Sequence, residues 1–99
     1  MTAVTPHLVC EDAADAIEFY KKAFGAMEEG RLQAPGGKIA HACLRIGDSA
    51  IFLVDASPEW GATSPRQLNG TPVSIHVYVR DVDAQAKKLE DAGRSLRAL

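Results

Sequence analysis

Apolar residues fall into two rhythms along this chain. Ala13, Ala16, Ile17, Tyr20 and Phe24 return at three- and four-residue steps, which places them on one face of a helix. Asp12 precedes the run and Gly25 follows it. A carboxylate at that start accepts free backbone N–H groups and meets the positive dipole end, and glycine accommodates the left-handed residue that closes a helix. From Met27 the step changes to two. Alternation over about 27–33, 38–46 and 49–55, broken at Pro35-Gly36-Gly37 and at Gly47-Asp48, predicts three strands, the last two joined by a two-residue hairpin. With the apolar stretch His7-Leu8-Val9-Cys10 ahead of the helix, the order is βαβββ.

The same plan begins again 69 positions on, where His76-Val77-Tyr78-Val79-Arg80-Asp81 answers the stretch from His7 to Asp12. Asp81 would cap a second helix with Val82, Ala86 and Leu89 in one stripe, and Gly93 stands where Gly25 stood. Residues 56–72, with Pro58, Gly61, Pro65, Gly70, Pro72 and the lone Trp60, read as a linker loop or lid. The predicted organisation is one α+β domain: a first module over 1–55, the linker over 56–72 and a partial second module over 73–99. A full second copy needs three more strands, and residues 94–99 show no alternation that supplies them. The chain therefore reads as C-terminally shortened. An unpaired strand edge and an uncovered helical stripe predict a homodimer, and the linker is long enough for the second strand and helix to exchange between chains.

Composition narrows the classes. Ninety-nine residues hold one core, and the 46% hydrophobic and 24% charged fractions are those of a folded globular chain. Eleven Lys and Arg against 13 Asp and Glu give a net charge of −2. No cationic field exists to attract phosphate backbones, so nucleic acid is not an expected partner. No apolar run reaches the ~18 residues of a spanning helix, and no basic-then-apolar leader opens the chain. Cys10 and Cys43 lie 33 positions apart with no metal-type spacing, which suits reduced thiols in the cytoplasm.

Three stretches carry a resemblance: Thr5-Pro6-His7-Leu8-Val9, the run from Ala16 to Ala26, and Gly37 through Ser49. Together they resemble the glyoxalase/bleomycin-resistance/extradiol-dioxygenase (vicinal oxygen chelate) superfamily, with the PhnB-like subgroup the nearest in look. Gly70 through Val79 with Asp81-Val82-Asp83 looks like the start of that superfamily's second module. The resemblance implies βαβββ modules whose curved mixed sheet surrounds a ligand cleft, often completed by a second chain.

It also implies candidate residues. His7 and His76 match the superfamily's two histidine metal positions, where imidazoles and oxygen ligands would hold Ni, Zn, Mn or Fe. The last strand of the first module is apolar inside and offers only Asp55 at its end, so no resident cofactor is expected, with the divalent metal as the alternative. His41 alternates with Ile39 and Cys43 and is a candidate lining residue. Phe52 and Trp60 are candidate aromatic walls, since small-molecule sites are largely apolar. Cys43 reads as a packing residue and Glu28-Glu29 as solvated charge. The expected function is to hold a small molecule in the cleft. The alternative is a metal-dependent lyase, isomerase or dioxygenase using His7 and His76.

Overall fold

Helix α1 spans Ala13–Phe24, and both of its ends are closed by the residues that the pattern singled out. The Asp12 carboxylate accepts a hydrogen bond from Asp15 N at 3.0 Å, and Gly25 adopts φ 66° while its N–H bonds back to the Lys21 carbonyl. A side chain at Gly25 would force a β-carbon into the left-handed region, which is why the helix stops there. The computed structural model describes residues 2–91, without the side chain of Trp60.

Four strands form one mixed sheet: β1 (His7–Cys10), β2 (Met27–Gln33), β3 (Ile39–Ile46) and β4 (Ser49–Asp55), in the order β1-β4-β3-β2. β1 runs parallel to β4, and the other two pairings are antiparallel. The sequence order βαβββ is therefore realised, with strand bounds close to those predicted.

One face of the sheet is closed by α1. Ala13 and Ile17 from the helix meet Ile39, Ala42, Leu44, Ile51 and Leu53 from the strands, and Leu8, Cys10, Ala16 and Tyr20 pack around them. Ile17, Leu44 and Leu53 are fully buried, each contributing on the order of 1.5–3 kcal/mol of apolar transfer.

Two bulges bend the β2–β3 pair. Glu29 is an extra residue in β2, between the pairs Glu28↔Leu44 and Gly30↔Cys43, and Ala40 is an extra residue in β3, between Leu32↔His41 and Gln33↔Ile39. An extra residue inverts the side-chain alternation beyond it and kinks the strand. Strict alternation would keep Ile39 beside His41 and Cys43. The bulge instead sends Ile39 into the core under α1 and leaves His41 on the opposite face.

The linker is more ordered than its composition implied. Pro58–Trp60 form a single 3-10 turn, Ser57 and Ala62 pair as an isolated bridge, and Pro65–Leu68 form the short helix α2. Ser64 and Gln67 close a capping box in front of α2, with Ser64 buried.

Helix α3 (Val82–Asp91) starts as expected, with Asp81 accepting from Ala84 N at 3.0 Å. Its stripe finds a cover that the sequence did not suggest: α3 packs on α1, and the Gln85 side-chain amide donates to the Ala23 carbonyl. Ala86 and Leu89 are half-buried, while Val82 remains exposed. Residues 73–79 carry the strand pattern, yet they join no sheet among the described residues, and Val73, Ile75 and Tyr78 are exposed. Gly93 and residues 94–99 lie outside the described residues.

Candidate functional site

The face of the sheet turned away from α1 has no covering element in the described chain. Register assigns its side chains. His7 lies opposite Phe52 and Phe52 opposite Cys43, while Val9 lies opposite Val54, His41 opposite Leu32 and Met27 opposite Arg45. Side chains directly opposite in a ladder share a face. This open face therefore carries a central group of rings with apolar neighbours, two of which, Met27 and Leu32, are 70% and 65% exposed.

The rings touch. His41 and Phe52 stand 4.7 Å apart between centroids, His7 and His41 5.9 Å, and His7 and Phe52 6.1 Å, all edge to face. Each spacing lies in the range in which aromatic edges and faces attract. Two sequence candidates for the cleft, His41 and Phe52, are thus neighbours, and His7 joins them from β1. The Trp60 side chain lies outside the described residues. His76 is exposed in the 73–79 segment and stacks with Tyr78 at 4.8 Å.

Beside the rings sits a polar group that the sequence reading missed. The Arg45 guanidinium donates through Nε to Glu29 at 3.2 Å and through Nη1 to the Asp48 carbonyl at 3.3 Å, and the Cys43 thiol points at the other Glu29 oxygen at 3.7 Å. The Arg45 hydrogen bond holds the Glu29 carboxyl below its usual range, and burial together with the Glu29 contact pushes the Cys43 thiol up. Cys43 is therefore a neutral thiol and no activated nucleophile. Glu29 reaches this face because it is the bulged residue of β2. A run of two glutamates gives no hint of which one the bulge expels, so no sequence signal separates Glu29 from Glu28. Glu28 belongs to the α1 side, where it bonds Lys21 at 3.2 Å and Arg31 at 2.5 Å.

Asp55, the first module's one acidic candidate for a metal, is occupied on the opposite face. Its two oxygens accept from Ala13 N at 2.7 Å and from Ile39 N at 2.6 Å, tying β4 to the start of α1 and to the bulged start of β3. Its register partner Cys10 is a thiol raised by burial and by the nearby Asp55 and Asp12 charges. Among the described residues no three His, Cys, Asp or Glu side chains converge on a common point. Among the described residues His7 and Asp55 thus do not join a three-donor set of the kind that catalytic zinc sites use.

Two grooves flank the N-terminal end of α1 rather than the open face. One of about 230 Å³ is lined by residues including Cys10, Glu11, Asp15, Ser64 and Arg66, and one of about 260 Å³ by Asp12, Gly37, Lys38 and Asp55. No helix among the described residues is long and apolar enough to cross a membrane.

Comparison with known proteins places this architecture. The chain is 46% identical over 97 residues to the uncharacterised protein Rv0887c of Mycobacterium tuberculosis, covering 95% of this chain and 57% of that protein. A Mycobacterium bovis relative, Mb0911c, shows the same identity with 64% of its length covered. The chain thus spans about three-fifths of the length of the curated relatives it matches. Among solved structures, the Arabidopsis thaliana gene product At5g48480 superposes with a TM-score of 0.77 at 28% identity, over 94% of this chain and 74% of that one. The fosfomycin resistance protein FosX of Mesorhizobium loti shares the fold, with a TM-score of 0.62 at 13% identity over 98% of this chain and 74% of that one. Residues 7–56, from the first strand to the end of β4, match the N-terminal domain of the glyoxalase At5g48480-like family, and the chain belongs to that family within the glyoxalase superfamily.

Proposed function

We propose that this chain holds a small molecule against the open face of its sheet, and that His41 and Phe52, with His7 beside them, form the floor of the binding cleft. The observation that carries this reading is the ring group itself: three aromatic side chains in mutual contact on a sheet face that the described chain leaves uncovered. A core has no use for them there, because the core lies on the other face under α1. Binding sites are walled by apolar and aromatic groups with a few polar ones, and this face offers both. A wall over the floor would come from a second copy of the chain, with two open faces meeting across the ligand as a homodimer. A metal-dependent reaction is the weaker reading, since Asp55 is bound to backbone N–H groups on the far side. The two free thiols fit a cytoplasmic setting.

The test is a screen of aromatic and heteroaromatic fragments by ligand-observed NMR on the wild type, Phe52→Ala and His41→Ala. Both residues are only partly buried, so both variants should fold. Hits are expected to weaken about tenfold or more in Phe52→Ala, because the largest apolar surface of the floor is removed. Hits that bind both variants as tightly as the wild type would overturn the proposal.

A further inference from the structure

β2 lies at the rim of the sheet, and among the described residues nothing pairs with its outer edge. We infer that this edge binds the β2 edge of a second copy, antiparallel and about a two-fold axis at Glu29-Gly30, so that Met27 lies opposite Leu32 of the other copy and Glu28 opposite its Arg31. The contact uses the edge of the sheet and not its open face, so it stands independently of the ligand reading.

Backbone direction comes first. The N–H groups of Phe52 and Ala56 donate toward β1, to the Pro6 and Cys10 carbonyls. Backbone groups alternate sides along a strand, so Ile51 and Leu53 turn theirs to Leu44 and Ala42 of β3, and His41, Cys43 and Arg45 turn theirs to β2. Their partners there are Leu32, Gly30 and Met27. Glu28 and Arg31 are left with N–H and C=O groups directed outward. In the inferred ladder these two residues exchange both backbone bonds across the axis, about four bonds in all. The bulge makes this possible. Without the extra Glu29, residues three apart would point to opposite sides, and no two-fold register could bond them to each other.

Side chains come second. Met27 and Leu32 stand on the open face, opposite Arg45 and His41, and both are largely exposed. Glu28 and Arg31 stand on the α1 side, opposite Leu44 and Ala42. Directly opposed side chains share a face, so the ladder joins two exposed apolar pairs on one face and two opposite-charge pairs on the other. Charges on an edge strand ordinarily guard it against pairing. Here they oppose other registers and complete this one. Glu18, Lys21, Glu28 and Arg31 form a neutral group on the α1 side. On the open face the Glu29 carboxylate of each copy stays on Arg45 of its own chain, and Asp48, the other carboxylate acting on Arg45, lies in the β3–β4 turn beyond the end of β2.

Gly30 comes third. Its φ lies outside the left-handed region, and a β-carbon there would meet no heavy atom within 4 Å beyond its chain neighbours. The single chain therefore gives no steric reason for a glycine, which inside a strand marks a bulge or the close approach of another backbone. The ladder brings such a backbone to the axis. A contact this short belongs to the weak class, so it forms at sub-millimolar concentration, above the micromolar range set for the facing of two open faces.

Disulfide trapping reads the register. Chains carrying Met27→Cys and chains carrying Leu32→Cys, all with Cys10→Ser and Cys43→Ser, are oxidised separately and as a mixture at about 0.5 mM. Opposed Cβ atoms in this ladder stand ~4.5–5.5 Å apart, close to what a disulfide spans, while the two copies of either position stand more than ~12 Å apart. The mixed disulfide is therefore expected about tenfold or more above either same-position disulfide. Glu28→Arg in both chains, or Arg31→Glu in both, should cut the mixed yield about tenfold, and Glu28→Arg in one chain with Arg31→Glu in the other should restore it, since opposite charges then face each other again. Equal mixed and same-position yields, or a mixed yield not restored by the swapped pair, overturns the inference. A mixed yield indifferent to the charge changes also overturns it and assigns the trapping to contact between open faces, where Met27 and Leu32 stand as well. In mixed-labelled wild type at the same concentration, an intermolecular nuclear Overhauser effect between the α-protons of Met27 and Leu32 is expected, because a strand ladder brings them together. It keeps the test open should a charge variant fold poorly, and its absence overturns the inference.

Discussion

Replacing Asp55 with alanine should cost far more stability than its position at a strand end suggests. Its carboxylate joins three elements, accepting from Ala13 N at 2.7 Å and from Ile39 N at 2.6 Å while its own backbone belongs to β4. A hydrogen bond to a charged group contributes ~1.5–3 kcal/mol, and removing the acceptor leaves two N–H donors without their partner. The site is half-buried, so water recovers part of the loss. A net destabilisation of about 2–4 kcal/mol is expected, a fall in Tm of roughly 10–25 °C for a domain of this size. Asp55→Asn should lose at least half as much, since its one remaining oxygen serves one N–H and its NH2 group confronts the other. Urea unfolding followed by far-ultraviolet circular dichroism at neutral pH measures both, the shift being read at constant slope. A loss below about 0.5 kcal/mol in Asp55→Ala would refute the three-element clamp, which matters for function because the same bond pins the bulge that parts Ile39 from His41.

Further outcomes follow from the same geometry. The Arg31 hydrogen bond, with help from Lys21, holds the Glu28 carboxyl at about 2, below its ordinary 4.5. Its stabilisation is complete above the unfolded value and is lost as pH falls toward 2, so Glu28→Gln should flatten the decline in stability over that window by about 1 kcal/mol, a solvent-facing pair being worth no more; an unchanged acid limb in the unfolding curve would contradict it. Ile17→Ala empties the contact of α1 with the sheet, where Ile17 is fully buried, and should cost about 2–4 kcal/mol in the same urea assay. If two open faces meet, light scattering should give twice the single-chain 10.6 kDa at micromolar concentration, and a stable folded monomer there would remove the second copy from the account.

The βαβββ order, the caps at Asp12 and Gly25 and the Gly47-Asp48 hairpin were legible because each rests on local rules of period, capping and turn chemistry. His41, from strand alternation, and Phe52, as an aromatic wall, were candidates for the cleft that the resemblance implied, and the sheet brings their rings to within 4.7 Å of each other. What escaped was the consequence of the bulges. One extra residue at Ala40 changes which face Ile39 occupies, and one at Glu29 delivers a carboxylate to Arg45; neither leaves a mark in the hydrophobic pattern, because both are fixed by pairing between strands. The role of Asp55 was hidden for a related reason, since its partners Ala13 and Ile39 are brought to it only by the fold. The docking of α3 on α1 likewise depends on Gln85 meeting the Ala23 carbonyl at the far end of another helix. Periodicity marked the stripe of Ala86 and Leu89 without naming what it would meet.

The most direct test of the central claim is to record intermolecular nuclear Overhauser effects between a bound aromatic fragment and isotope-labelled protein. The account expects contacts to the ring protons of Phe52 and His41, on the face opposite α1. Contacts instead to Ala14, Ala16 or Pro65, which line the grooves at the start of α1, would contradict it.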